Sequence, residues 1–116
     1  MDVRITRTLE RMRTRMRDKL TVEQLAETVE LSPSRFAHLF RAQVGVSPVR
    51  YLLQLRMDRA RALLERTSLS VTEVRLRVGC TDPSHFARDF RRCHGFSPSQ
   101  RRILYKERHV AASRAS

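Results

Sequence analysis

Glycine is scarce in this chain, at three residues in 116. So few leave no glycine-rich loop to cradle a phosphate. With no nucleophile motif and no paired carboxylates either, an enzymatic role has no support and no catalytic residue is expected. Cysteine is scarcer still. Cys80 and Cys93 lack a metal-ligand spacing, and a zinc site drawn from Cys80, His85, Cys93 and His94 would need ligands on several faces of one helix. No metal and no cofactor is therefore expected, and the thiols read as reduced. No run of about eighteen apolar residues and no secretory core occurs, so neither a membrane span nor export is indicated. Acidic residues are in short supply as well: twelve Asp and Glu face twenty-four Lys and Arg, a net charge of +12. A surplus that large on a small folded domain is the electrostatic footprint of a polyanion partner, with nucleic acid the leading candidate. A basic surface serving solubility alone would leave the duplication described next unexplained.

Proline is rare too, and all four copies stand just after Ser or Asp, at Ser32-Pro33, Ser47-Pro48, Asp82-Pro83 and Ser97-Pro98. This is the signature of a helix N-cap followed by a proline whose missing N–H costs nothing in the first turn. The longest stretch without a breaker, SPVRYLLQLRMDRARALLER from Ser47, carries Leu53, Met57, Ala60 and Leu64 at helical spacing, with Leu52, Leu55 and Leu63 widening the stripe. Such a helix packs on more than one side. Its flanks, Leu31 to Pro48 and Thr81 to Pro98, agree at an offset of 50 residues at Pro33/Pro83, Ser34/Ser84, Phe36/Phe86, Phe40/Phe90, Arg41/Arg91, Gly45/Gly95 and Ser47/Ser97, among others. Two units are too few for a stacked array. The expected fold is all-α, about seven helices in two helix-turn-helix subdomains joined by a long central helix.

In chain order, an amphipathic helix from Asp2 to Asp18 presents Ile5, Leu9, Met12 and Met16 on one face. It reads as a packing helix over the first lobe, with a DNA-touching arm as the alternative. Thr21-Val22-Glu23-Gln24 and Ser70-Val71-Thr72-Glu73 fit capping boxes, each opening a short helix. Gly45 and Gly95 then close the second helix of each pair. The second turn, Gly79-Cys80-Thr81, is one residue longer than the first. The expected organisation is residues 1–46 as the first lobe with its N-terminal helix, 47–67 as the connecting helix, 68–107 as the second lobe with a final helix to about Lys106, and 108–116 as a disordered tail.

Two short helices across a tight turn describe a helix-turn-helix, whose second helix enters the major groove. Here the second helices are residues 33–44 and 83–94. With Phe36 and Phe40 inward, steps of about 100 degrees place Ser34, His38, Arg41 and Ala42 outward and Arg35 at the edge. The second copy presents Ser84, Arg88, Arg91 and Arg92, with His85 at the edge. Residues of the early turns reach base edges: Arg88 can pair bidentately with guanine, while Ser34, Ser84, His38 and His85 are less committal donors or acceptors. Arg41, Arg91 and Arg92, farther along, grip phosphate. The plainer alternatives are helix-start serines, solvated arginines and surface histidines; the phenylalanines are core. A helix of about twenty residues is about 30 Å long, near the 34 Å or so of one DNA turn, so both recognition helices could enter successive major grooves.

LAETVELSPSRFAHLFRAQVGVSPVRYL, LRMDRARALL and SVTEVRLRVGCTDPSHFARDFRRCHGFSP together resemble the DNA-binding domain of the AraC/XylS family of bacterial transcription regulators, over roughly Leu20 to Arg102. The resemblance implies double-stranded DNA as partner, activation of transcription through RNA polymerase, and a place in the bacterial cytoplasm at the nucleoid. By motif position it puts the base-reading residues on Ser34, Ala37 and His38 and on Ser84, His85 and Arg88. Regulators of this kind often carry an effector or dimerisation domain; none is expected within these residues, so the chain reads either as a small stand-alone regulator or as the DNA-binding module of a longer one. Three positions depart from the family pattern. Arg75 stands where a small residue, aligned with Ala26, is usual and must reach out of a close helix contact; Cys80 replaces an aromatic residue, and Arg101 a tyrosine aligned with Tyr51. Two other functions compete with sequence-specific regulation: a nonspecific architectural DNA-binding protein driven by charge, and a protein-interaction module of a larger regulator.

Overall fold

A computed structural model describes residues 1–115, with side chains to residue 112. Among the described residues the chain is all helix and has no strand: α1 Val3–Thr14, α2 Val22–Thr28, α3 Pro33–Val44, α4 Pro48–Arg66, α5 Val71–Arg77, α6 Pro83–His94 and α7 Pro98–Ala115. Two compact units divide it, Met1–Arg56 and the chain from Met57 onward. Helix α4 accordingly contributes residues 48–56 to the first unit and 57–66 to the second.

Capping follows the sequence closely. Gln24 N–H donates to Thr21 Oγ1 at 3.1 Å while Thr21 N–H donates to Gln24 Oε1 at 3.2 Å, and Ser70 and Glu73 make the same reciprocal pair at 3.0 and 3.2 Å. A third box, not anticipated from sequence, joins Ser97 and Gln100 at the start of α7. Each satisfies two N–H groups that a helix start otherwise leaves unpaired.

In the first unit, Ile5, Met12, Leu25, Ala26, Phe36, Phe40 and Leu52 form the buried cluster. Helix α1 ends at Thr14, short of the expected Asp18, and the cause is tertiary. The Arg56 guanidinium of α4 donates from Nε to Met16 O and from Nη2 to Asp18 O, both at 2.9 Å, and so claims the carbonyls of the turn that follows α1.

The second unit buries Met57, Leu64, Val74, Val78, Phe86 and Phe90. Its ring packing is the first unit's with one member moved. In the first, Phe40 meets Tyr51 of α4 edge-on at 5.8 Å; in the second, Phe90 meets Phe96 edge-on at 5.9 Å. Phe96 stands where the first copy has Val46, and Arg101 where it has Tyr51. The aromatic ring has passed from the helix to the loop before it. Arg101 then lays its guanidinium over Phe96, 5.5 Å from the ring centre, and bonds Glu65, which also accepts from Arg61 Nε at 2.9 Å. The Arg61 guanidinium lies 5.3 Å from the centre of the same ring, so Phe96 serves two cations. Glu65 is held below the ordinary glutamate value of 4.5, first by the Arg61 hydrogen bond and then by Arg101, against a desolvation that acts the other way.

His94, counterpart of Val44, is nearly buried at 6% exposure, packs edge-on against Phe90 at 4.7 Å, and shares a 2.9 Å hydrogen bond with Met57 O. The buried Arg102, counterpart of Leu52, donates to Thr67 O and Leu69 O and so fixes the segment between α4 and α5. Helix α7 does not stop near Lys106, and the disordered tail expected over 108–116 is corrected: the helix continues to Ala115. The segment ERHVAASRA lacks any Gly or Pro and is rich in good helix formers, and Tyr105 and His109 pair one turn apart through a ring contact and a bond from His109 Nδ1 to Tyr105 O. Ser116, the last residue of that expectation, lies outside the described residues.

Candidate nucleic-acid interface

Helices α3 and α6 are built alike, and their construction decides which side chains face out. Ser32 Oγ accepts from Arg35 N–H at 3.2 Å and Asp82 Oδ1 from His85 N–H at 2.9 Å, with Pro33 and Pro83 in the first turn. The Asp82 carboxyl lies below its usual range chiefly because of that His85 hydrogen bond, so the cap is charged at neutral pH. At the far ends Gly45 and Gly95 adopt φ of 96° and 83°, and their N–H groups return to Arg41 O and Arg91 O. Between cap and stop, Phe36 and Phe40 pack at 5.9 Å and Phe86 and Phe90 at 5.9 Å, all buried. Two bulky rings one turn apart leave no freedom of rotation about the helix axis.

The opposite faces are consequently exposed. On α3 these are Ser34, Arg35, His38 and Arg41, with Ala37 half-buried at the edge; on α6 they are Ser84, His85, Arg88, Arg91 and Arg92. Arg88 is 60% exposed, and its contact with Asp89 is long at 3.9 Å, so its guanidinium keeps its donors for a partner. Within each unit the expected side chains thus share one helix face, Ala37 being the most recessed.

The turns preceding these helices differ by one residue. In the first, Leu31 N–H returns to Ala26 O at 3.0 Å and Glu30 takes a left-handed φ of 59°; in the second, Cys80 N–H returns to Arg75 O at 3.0 Å and Gly79 takes φ of 86°. Thr81 is the surplus residue. Arg75 reaches out of the helix contact, as its length requires, and its Nη1 donates to Cys80 O at 2.9 Å and Thr81 O at 2.7 Å. Arginine here answers the longer turn: it satisfies the carbonyls that the surplus residue leaves without a helix to join.

One residue near this face was missed from sequence. Arg4 of α1 lines a hollow of about 380 Å³ together with Leu31, Ser34, Arg35, His38, Leu39 and Ala42. The alternative reading of the first helix as a DNA-touching arm singles out no residue, and Arg4 stands beside Ile5, which turns inward to the same core as Phe36.

A helix-turn-helix domain family model matches residues 25–102. The chain is 40% identical over 90 residues to an uncharacterized HTH-type transcriptional regulator, YdiP, of Escherichia coli strain K12, covering 78% of this chain and 30% of that protein. It is 38% identical over 87 residues to the arabinose operon regulatory protein of the same strain, covering 75% of this chain and 30% of that protein. Among solved structures it is similar to the DNA-binding domain of AdpA, a global transcriptional factor, in complex with a target DNA: TM-score 0.86, 30% identity, 92% of this chain and 96% of that one. The chain spans about three tenths of the length of these curated relatives.

Proposed function

The chain belongs to the AraC-type helix-turn-helix family of DNA-binding domains, and from that membership we propose that it binds double-stranded DNA at specific sequences and regulates transcription, as an activator working through RNA polymerase. The observation that carries the reading is the paired construction of α3 and α6, each with a polar and basic face opposite two locked phenylalanines. In this reading α3 and α6 enter successive major grooves. Ser34, Arg35, Ala37 and His38 of the first unit and Ser84, His85 and Arg88 of the second read bases; Ala37 offers only apolar contact, for instance to a thymine methyl. Arg41, Arg91 and Arg92 hold phosphates. No side chain is assigned a catalytic role. Work at the nucleoid in the bacterial cytoplasm, and an effector or dimerisation domain elsewhere in the full regulator, complete the proposal; no helix among the described residues is long and apolar enough to cross a membrane.

Selection of bound DNA from a random pool at physiological salt, followed by footprinting, tests it. The expected site is about two helical turns, with information in two blocks one turn apart. A single informative block would mean that one unit only grips the backbone. No enrichment, with affinity that collapses as salt rises, would overturn the reading in favour of a nonspecific architectural binder. Nuclease-resistant capture of polymerase without any DNA preference would instead identify a protein-interaction module.

A further inference from the structure

We propose that Arg4, at the start of α1, is a DNA-phosphate contact of the first unit, extending its interface beyond the helix-turn-helix; this rests on the DNA-binding reading above. Two observations carry it. The first is position: Arg4 shares one hollow with Ser34, Arg35 and His38, the exposed side chains of α3 assigned to the bases. A cation at the margin of a major-groove helix lies where the sugar-phosphate backbone passes.

The second is that the guanidinium is held in place and still has donors to give. Asp2 Oδ1 accepts from Arg4 Nε at 3.1 Å and Oδ2 from Nη2 at 2.9 Å, while Oδ1 also accepts the Arg4 backbone N–H at 2.8 Å. Asp2 is in turn tied to α3, its N–H donating to Gln43 Oε1 at 2.8 Å. The chain Arg4, Asp2, Gln43 thus fixes the guanidinium relative to the recognition helix. Asp2 occupies the Nε and Nη2 edge, and Nη1 makes no bond among the described residues. A side chain 41% exposed, ordered before the ligand arrives and with three of its five N–H donors uncommitted, loses little freedom on meeting an anion.

The same helix supplies a matched control. Arg13 pairs with Glu10 as Arg4 pairs with Asp2, and is exposed, but lies nine residues on and so about 180 degrees round the helix. Arg4→Ala and Arg13→Ala each remove one ion-paired positive charge from α1. Neither disturbs the Asp2 cap, which bonds a backbone N–H, and circular dichroism will confirm unchanged helix content.

On the selected DNA site, Arg4→Ala is expected to bind about fivefold more weakly at physiological salt, with the slope of log K against log salt shallower by about 0.9, as for one lost phosphate contact. Phosphate-ethylation interference should lose one position beside the block read by α3. Arg13→Ala should match the wild-type chain in all three measurements. If Arg4→Ala matches wild type, or if both variants weaken binding equally with the interference pattern intact, the proposal is overturned while DNA reading by the two helices stands. A wild-type chain that selects no sequence would remove both together.

Discussion

The Arg75 clamp offers the sharpest test of how the second recognition helix is set. Replacing Arg75 by Ala gives the second unit the residue that the first carries at Ala26, while leaving the longer turn in place. The side chain donates from Nη1 to two carbonyls, Cys80 O at 2.9 Å and Thr81 O at 2.7 Å, the first partly buried and the second exposed. Hydrogen bonds from a charged donor contribute about 1.5–3 kcal/mol when buried. With one of the two exposed to water, a loss of about 1.5 kcal/mol for the pair is the reasonable sum, because water replaces much of the outer bond. That corresponds to a rise of about tenfold in the opening equilibrium of α5 and α6. Native-state amide exchange reads it directly, with α2 and α3 as an internal reference that should not change. Deleting Thr81 in the Arg75→Ala background should restore much of the protection, since the turn then matches the first unit's, in which Ala26 suffices. Exchange in α5 and α6 within twofold of wild type would refute the clamp. So would a Thr81 deletion whose effect is the same with and without Arg75, because the two residues would then not be coupled.

Other outcomes follow from the same geometry. Glu65 titrates below 4.5 when folded, so the stability it contributes is fully present above that pH and is lost as pH falls through its lowered value; Glu65→Gln should flatten the acid limb of the second unit's stability, as followed by amide exchange. Glu30 holds a left-handed φ of 59° where the second copy has Gly79, so Glu30→Gly should stabilise the first unit by about 1 kcal/mol in urea unfolding, and a loss would mean that the Glu30 side chain matters more than its backbone. Arg88→Ala should lower affinity by about 1–3 kcal/mol with the loss concentrated on one base pair of the second block; uniform weakening across all sequences would reassign Arg88 to phosphate.

Much of the fold is written in short-range grammar and could be read as such. Ser32, Asp82, Pro33, Pro83, Gly45 and Gly95 act on residues no more than four positions away, so their effect needs no knowledge of tertiary structure. The exposed face of each recognition helix follows from the two phenylalanines by rotation alone. What could not be read involves long side chains whose partners are distant in sequence. Arg56 reaches carbonyls 38 and 40 positions back, Arg102 reaches 33 and 35 back, and His94 meets a carbonyl 37 residues away. An arginine carries five donors on a flexible stem, and nothing in local pattern separates one that grips linker carbonyls from one that awaits DNA. Arg4 escaped for the same reason, since its neighbourhood with Ser34 and His38 exists only once α1 and α3 have packed. The helical extent of α7 was missed differently: the end of a chain reads as disorder, where here helix propensity suffices.

The displaced ring of the second unit bears on how such a duplicated chain can change over time. Phe96, Arg101, Glu65 and Arg61 form a set in which each member presupposes the others, whereas the first copy fills the corresponding space with Val46 and Tyr51. Restoring tyrosine at position 101 alone would crowd an aromatic ring against Phe96 and strip Glu65 of a partner; restoring valine at 96 alone would leave two guanidinium groups over an empty site. Each single exchange is expected to be less stable than the matched set, which urea unfolding of the two single variants and the double variant would check. The two halves thus follow one grammar of helix starts and stops while each holds an interior whose members are matched to one another and not to their counterparts.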